Sequence, residues 1–136
     1  MEIVNAENHI LGRIATHIAK DLLNGKTIYV VNAEKTVISG NPKYIQSVYA
    51  ERRKRGDPYH GPFFPKTPQG IFKRAVRGML PKNPRGRNAL KRLKVYISIP
   101  DEFKGKEFKE YEKAKNKLKT QYITLSELSK RLGHKL

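Results

Sequence analysis

Four consecutive residues, Ile28-Tyr29-Val30-Val31, set the hardest constraint on this chain. A nearly continuous apolar, β-branched run between Thr27 and Asn32 reads as a strand covered on both faces, the condition of a strand in a parallel sheet. The cover begins just upstream. Ile10, Ile14, Ile18 and Leu22 recur every four residues, as do Leu11, Ala15, Ala19 and Leu23, so a helix with a broad apolar stripe is predicted up to Asn24-Gly25, a left-handed cap. Arg13, His17 and Lys20 fall on its opposite side. With Ile3-Val4 as a short strand before it, the chain opens β-α-β.

The same pattern logic extends downstream. Val37 to Gly40 is a short strand or the lead-in to a helix capped by Asn41 and opened by Pro42, with Tyr44, Ile45, Val48 and Tyr49 on its buried face. Asp57 to Pro65 is a loop of Pro, Gly and aromatic residues, in which Tyr59, His60, Phe63 and Phe64 either pack locally or stack on something planar. Thr67 caps and Pro68 opens a further helix, whose apolar face is Ile71, Phe72, Ala75, Val76, Met79 and Leu80, and Pro81 ends it. Val95 to Ile99 is a last strand closed by Pro100. After it we expect peripheral helix, with Phe108, Tyr111 and Leu118 as a thin seam and Thr124-Leu125-Ser126-Glu127 as a capping box. The order of elements predicts an α/β sandwich around a mainly parallel sheet, and 136 residues suffice for one domain only.

Charge is concentrated where the apolar pattern is tightest. Residues 1 to 51 carry five basic and five acidic groups, residues 52 to 94 fourteen and one, and residues 95 to 136 ten and six; from Pro58 to Pro100 there is no Asp or Glu at all. A solvated surface mixes both signs, so a single-sign field of this extent points to a polyanion rather than to ordinary solubility. The cations that would meet it are Arg13 on the first helix, then Arg52, Arg53, Lys54 and Arg55, His60 and Lys66 in and beside the loop, and Lys73, Arg74, Arg77, Lys82, Arg85, Arg87, Lys91, Arg92 and Lys94 beyond it. RNA suits this set, because the planar fork of Arg bridges phosphate oxygens and stacks on exposed bases. DNA would attract the same charges, but the sequence carries no recognition-helix or dimer signature.

Other chemistries find little support. Gly25-Lys26-Thr27 imitates the end of a phosphate-binding loop, yet position 20 is Lys where that motif needs Gly, and the segment leads into a strand instead of a helix. His9, His17, His60 and His134 share no spacing and neighbour no nucleophile or acid in a catalytic arrangement. One acidic residue between 52 and 100 cannot build a metal site or a carboxylate pair inside the basic region. The absence of Cys excludes disulfides and thiol chemistry and fits a reducing compartment. No apolar run approaches the ~20 residues of a membrane span, and Glu2 is out of place in a basic signal-peptide start, so neither export nor insertion is expected. An RNA-processing enzyme is the competing reading, to be recognised by turnover.

Several blocks are similar to one known family. Leu11-Gly12-Arg13, Val31-Asn32-Ala33-Glu34-Lys35, Val37-Ile38-Ser39-Gly40-Asn41 and above all Val76-Arg77-Gly78-Met79-Leu80-Pro81, with Gly86-Arg87 and Leu93-Lys94-Val95-Tyr96, resemble the universal large-subunit ribosomal protein L13 family. The resemblance covers residues 1 to about 100. It implies a three-layer α/β/α fold around about four parallel strands, and a structural and assembly component that binds large-subunit rRNA and neighbouring large-subunit proteins in the cytoplasm. It implies no enzyme, no cofactor, no metal, no small-molecule substrate and no membrane. On this reading residues 1–100 form the rRNA-binding core and residues 101–136 a helical extension packed on the same domain. The short link from Gly25 to Thr27 lacks the longer bacterial insertion, the loop at His60 to Pro65 resembles archaeal and eukaryotic members, and the segment after Pro100 is unlike bacterial members; together they point to an archaeal-type member.

Overall fold

The computed structural model describes residues 2–54, 66–117 and 121–133, with the side chains of Arg53 and Lys54 outside the description. Three parallel strands form its main sheet: β1 (Glu2–Asn5), β2 (Ile28–Val31) and β4 (Leu93–Val95), in the order β1-β2-β4. The apolar run therefore lies between its two neighbours, with Val30 opposite Val4 on one side and Val95 on the other. Its residues divide between two apolar clusters, as period two requires. Ile28 and Val30 join Val4 and Leu93 in the main core, while Val31 joins Ile3 and Phe103 in a smaller one that also packs Tyr29, Tyr96, Ile99 and Phe108. Helices build the first cluster. Rings build most of the second: Tyr29, Tyr96 and Phe103 lie with centroids 5.4 to 6.4 Å apart, spacings at which edge and offset contacts are favourable.

The helix α1 (Leu11–Leu23) buries Leu11, Ile14, Ala15, Ile18, Ala19 and Leu22, the stripe its four-residue spacing requires. Gly25 at φ 92° ends it, the Gly25 and Lys26 amides bonding back to the Leu22 and Asp21 carbonyls in the paired pattern of a left-handed terminator. Packed beside α1 is α3 (Pro68–Met79), then α4 (Pro84–Lys91). α2 (Pro42–Lys54) packs against α5 (Leu125–Arg131). Thr67 and Thr124 cap α3 and α5 with their side-chain oxygens, as their sequence positions predict.

Five expectations need correcting. The strand placed at Val95 to Ile99 is instead Leu93–Val95, and the chain after it leaves strand geometry, with Ser98 at φ 58°. β3 (Val37–Ser39) does not join the parallel sheet; it pairs antiparallel with β5 (Tyr122–Thr124), Ile38 opposite Ile123. The place beyond β1 is taken by a single bridge from Lys109 to Val4. Phe108 and Tyr111 are not helical: Phe108 lies in the non-helical chain directly before the Lys109 bridge, and Tyr111 sits just before a short 3-10 turn at Glu112–Ala114. Leu118 lies outside the described residues. Tyr44 is exposed, because α2 turns Ile45 inward and only partly covers Val48 and Tyr49. Met79 is exposed as well, at 43%, with the Thr16 hydroxyl 3.2 Å from its sulfur; the last turn of α3 carries it beyond the core that holds Ile71, Phe72, Val76 and Leu80.

A polar clasp ties the C-terminal segment to the rest. Tyr111 donates its hydroxyl hydrogen to Asp21 at 2.6 Å, its ring stacks on His17, and Lys109 reaches both Asp21 and Glu2 at 3.4 Å. The fully buried His9 accepts the Tyr111 amide at Nε2; its Nδ1 must then carry the proton, which it donates to the Glu7 carbonyl 2.8 Å away. Burial pushes the Tyr111 phenol up, and its bond to Asp21 together with the charges of Asp21 and Glu2 adds to the rise. Burial acts against the Asp21 carboxylate, but the Tyr111 hydroxyl and the Lys109 and Lys26 charges outweigh it and hold its pKa below the ordinary value.

Two outcomes follow for stability. Phe72→Ala should cost about 3–5 kcal/mol in denaturant unfolding, since Phe72 is wholly buried. Tyr111→Phe should cost about 1–2 kcal/mol through a lost charge-assisted bond. A phenol whose folded pKa is raised above its ordinary 10.0 stabilises fully below that pH and loses its contribution as pH rises past it. Melting curves above pH 10 should therefore fall more steeply for the wild type than for Tyr111→Phe.

Candidate nucleic-acid interface

The basic stretch becomes a surface through two short helices joined by a tight corner. α3 ends at Met79, Leu80 turns extended, and Pro81 to Asn83 lead directly into α4. Asn83 accepts the Gly86 amide at 3.0 Å and Pro84 occupies the first turn, so the second helix starts where its Asn-Pro pair dictates. Gly86 is buried, and a Cβ there would overlap the Pro81 carbonyl oxygen. Only glycine lets the corner close this tightly.

Closing the corner makes a cleft of about 380 Å³ lined by Arg74, Arg77, Lys82 and Arg87, with Leu80, Pro81 and Leu90 as apolar surface and Gly78 and Gly86 as bare backbone. Arg77, Lys82 and Arg87 are exposed, as are Lys73 on α3 and Lys91 on α4. The ion pairs of Lys26, Lys35, Lys104, Lys109, Lys115 and Arg131 all lie elsewhere among the described residues.

Other candidates from the sequence are not brought to this cleft. Arg92 sends Nη2 to the Leu22 carbonyl at 2.6 Å, and Arg85 places Nη2 3.4 Å from the Leu23 carbonyl. Both cations thus sit on the C-terminal turn of α1, where the second lone pairs of the last carbonyls and the helix dipole favour positive charge. Arg92 is a fold residue, half-buried, and a spacing argument could not see it because its partner lies 70 residues away. Lys94 pairs in register with Tyr29 and so projects from the aromatic face of the sheet. Arg13 and Lys66 are exposed but do not line the cleft, and Arg52 lies over the Tyr49 ring at 5.4 Å. Arg55 and His60 lie outside the described residues, as do the side chains of Arg53 and Lys54. What the sequence reading missed is Asn83 and the buried role of Gly86; the Asn-Pro pair was the visible signal for the first.

Comparison with known proteins decides what this corner belongs to. The family model described as Ribosomal protein L13 matches residues 1–102, which include every residue of the cleft. The chain belongs to the ribosomal protein L13 family. Its relatives include the protein named large ribosomal subunit protein uL13 of Archaeoglobus fulgidus, 48% identical over 135 residues and covering 96% of this chain and 86% of that one. The uL13 of Sulfurisphaera tokodaii is 51% identical over 96% of this chain and 93% of its own, and that of Methanosarcina barkeri 47% over 99% of each. An L13 protein is a structural, non-enzymatic protein, which removes the competing enzyme reading.

The corner can be tested by substitution. Gly86→Ala should destabilise by about 1–3 kcal/mol through overpacking against Pro81, whereas Gly78→Ala, which meets nothing within 4 Å, should leave melting unchanged or raise it. Arg92→Ala should likewise lower stability by about 1–2 kcal/mol, and Arg77→Ala, on an exposed helix surface, by less than about 0.5 kcal/mol.

Proposed function

We propose that this chain is a structural constituent of the large ribosomal subunit that binds large-subunit rRNA through the α3–α4 corner and supports assembly of the subunit in the cytoplasm. The observation that carries this reading is the concave basic cleft in a stretch of sequence without a carboxylate. Phosphate neutralisation supplies most of the affinity of such a surface, and a concave shape selects among RNA conformations. Lys73, Arg77, Lys82, Arg87 and Lys91 are the contact residues we assign, with Arg74 in the cleft wall; Arg85 and Arg92 support them by anchoring α4 and the start of β4 to the end of α1. The uL13 names of the relatives favour the large subunit and its proteins as the surroundings of this chain. Residues from 101 onward belong, on this proposal, to the same folding unit as residues 1–100, supported by the clasp at Lys109 and Tyr111 and by the pairing of β5 with β3.

Sedimentation of lysate at moderate salt should place the protein with large subunits, and finding it mainly free would overturn the assignment. Binding of the purified chain to a large-subunit rRNA fragment should weaken linearly in log K against log salt. About five neutralised phosphates give a slope of roughly −4, and Arg77→Ala or Lys82→Ala should each reduce it by about one. A slope near −1 would show that the corner is not the binding surface.

A further inference from the structure

A duplex backbone needs only a convex or flat row of cations, yet the cations at this corner surround a hollow. Its volume of about 380 Å³ falls in the range of roughly 300–1000 Å³ typical of small-ligand sites. Its lining is divided in kind. Arg77, Lys82 and Arg87 supply charge, whereas Leu80, Pro81 and Leu90 supply apolar surface that a phosphate group cannot use. That pairing of an apolar floor with a cationic rim matches one unstacked nucleotide, whose base seeks dry contact and guanidinium planes while its phosphates seek charge. Two backbone features keep the hollow open. Gly86 allows α4 to close on Pro81, and Gly78 leaves the α3 side without a side chain although space for one exists.

We propose that the α3–α4 cleft receives a single nucleotide turned out of the RNA stack, so that this corner distinguishes interrupted RNA helices from continuous ones. The proposal rests on the rRNA-binding reading above and adds to it the form of RNA that is bound. A duplex has no free base to place in the cleft, so it would be held by the rim alone.

The test compares two probes at one salt concentration: a fully paired RNA duplex and the same duplex carrying one unpaired nucleotide. The wild type should bind the bulged RNA about tenfold more tightly, the scale of one base transferred into a stacking or apolar site. A 2-aminopurine at the bulge should change its fluorescence on binding. Gly78→Leu adds bulk at the mouth of the cleft without altering charge, and nothing stands within 4 Å of its first added atom. It should keep the wild-type melting temperature and lose the bulge preference, the ratio of bulged to duplex affinity falling toward one, with Gly78→Ala intermediate. Lys82→Ala should weaken both probes alike. Equal wild-type affinity for the two RNAs would assign the cleft to phosphates alone and overturn the proposal, as would a preference that survives Gly78→Leu. If the wild type bound neither probe nor a large-subunit rRNA fragment, the rRNA-binding reading itself would fall; binding with equal affinities would leave that reading standing.

Discussion

The structure depends on keeping Ile28–Val31 out of water with every backbone group paired. A strand of four apolar residues needs a partner on each edge and cover on each face, since an unpaired buried amide or carbonyl costs about as much as a lost hydrogen bond. β1 and β4 occupy the edges. The helices that build the main core and the ring cluster of Tyr29, Tyr96 and Phe103 cover the faces. The last of these comes from the region after Pro100, so the C-terminal segment completes the sheet's second face rather than decorating a finished core. The clasp of Tyr111, Asp21, Lys109 and His9 then fixes where that segment can lie.

The same constraint positions the basic corner. β4 must lie beside β2, and the preceding α4 is held to α1 by Arg85 and Arg92 on the terminal carbonyls of Leu23 and Leu22. These contacts join two needs. The C-terminal turn of α1 gains cationic donors on its last carbonyls, and the strand after α4 starts in the correct register. With α4 held to α1 in this way, the closeness of its first turn to the Pro81 corner is decided by whether residue 86 has a side chain. A family whose work is structural can thus build a recognition surface from few parts: a proline to stop one helix, an Asn-Pro pair to start the next, and a glycine in the first turn of that second helix.

Much of this was legible in the sequence. The stripes of α1 and α3, the caps at Thr67 and Thr124, the turn at Gly25 and the placement of excess charge between residues 52 and 94 all follow from local chemistry, because each involves residues a turn or two apart. The errors share a cause. Met79 fits the apolar period of α3 but falls in its last turn, past the edge of the partner surface. Tyr44 fits the face of α2, which finds partners for only part of that face. β3 has a strand's composition but no local indication that its partner comes from residues 122–124, and nothing local to Lys109 marks the bridge it makes to β1.

What the sequence by itself determined was the period and the sign: which face of each helix and strand could turn inward, and where a polyanion would be attracted. Those properties are set by neighbours within a few positions, through 3.6- and two-residue repeats and through charges fixed to their own segments. Only the tertiary structure decided which of the cations are available. Arg77 and Arg92 look alike in the chain, yet one rims the cleft and the other is bound to the end of a helix 70 residues earlier. Whether a cation faces a partner or the protein's own carbonyls depends on how the helices come together, and that is set by packing between segments that carry no sequence record of one another.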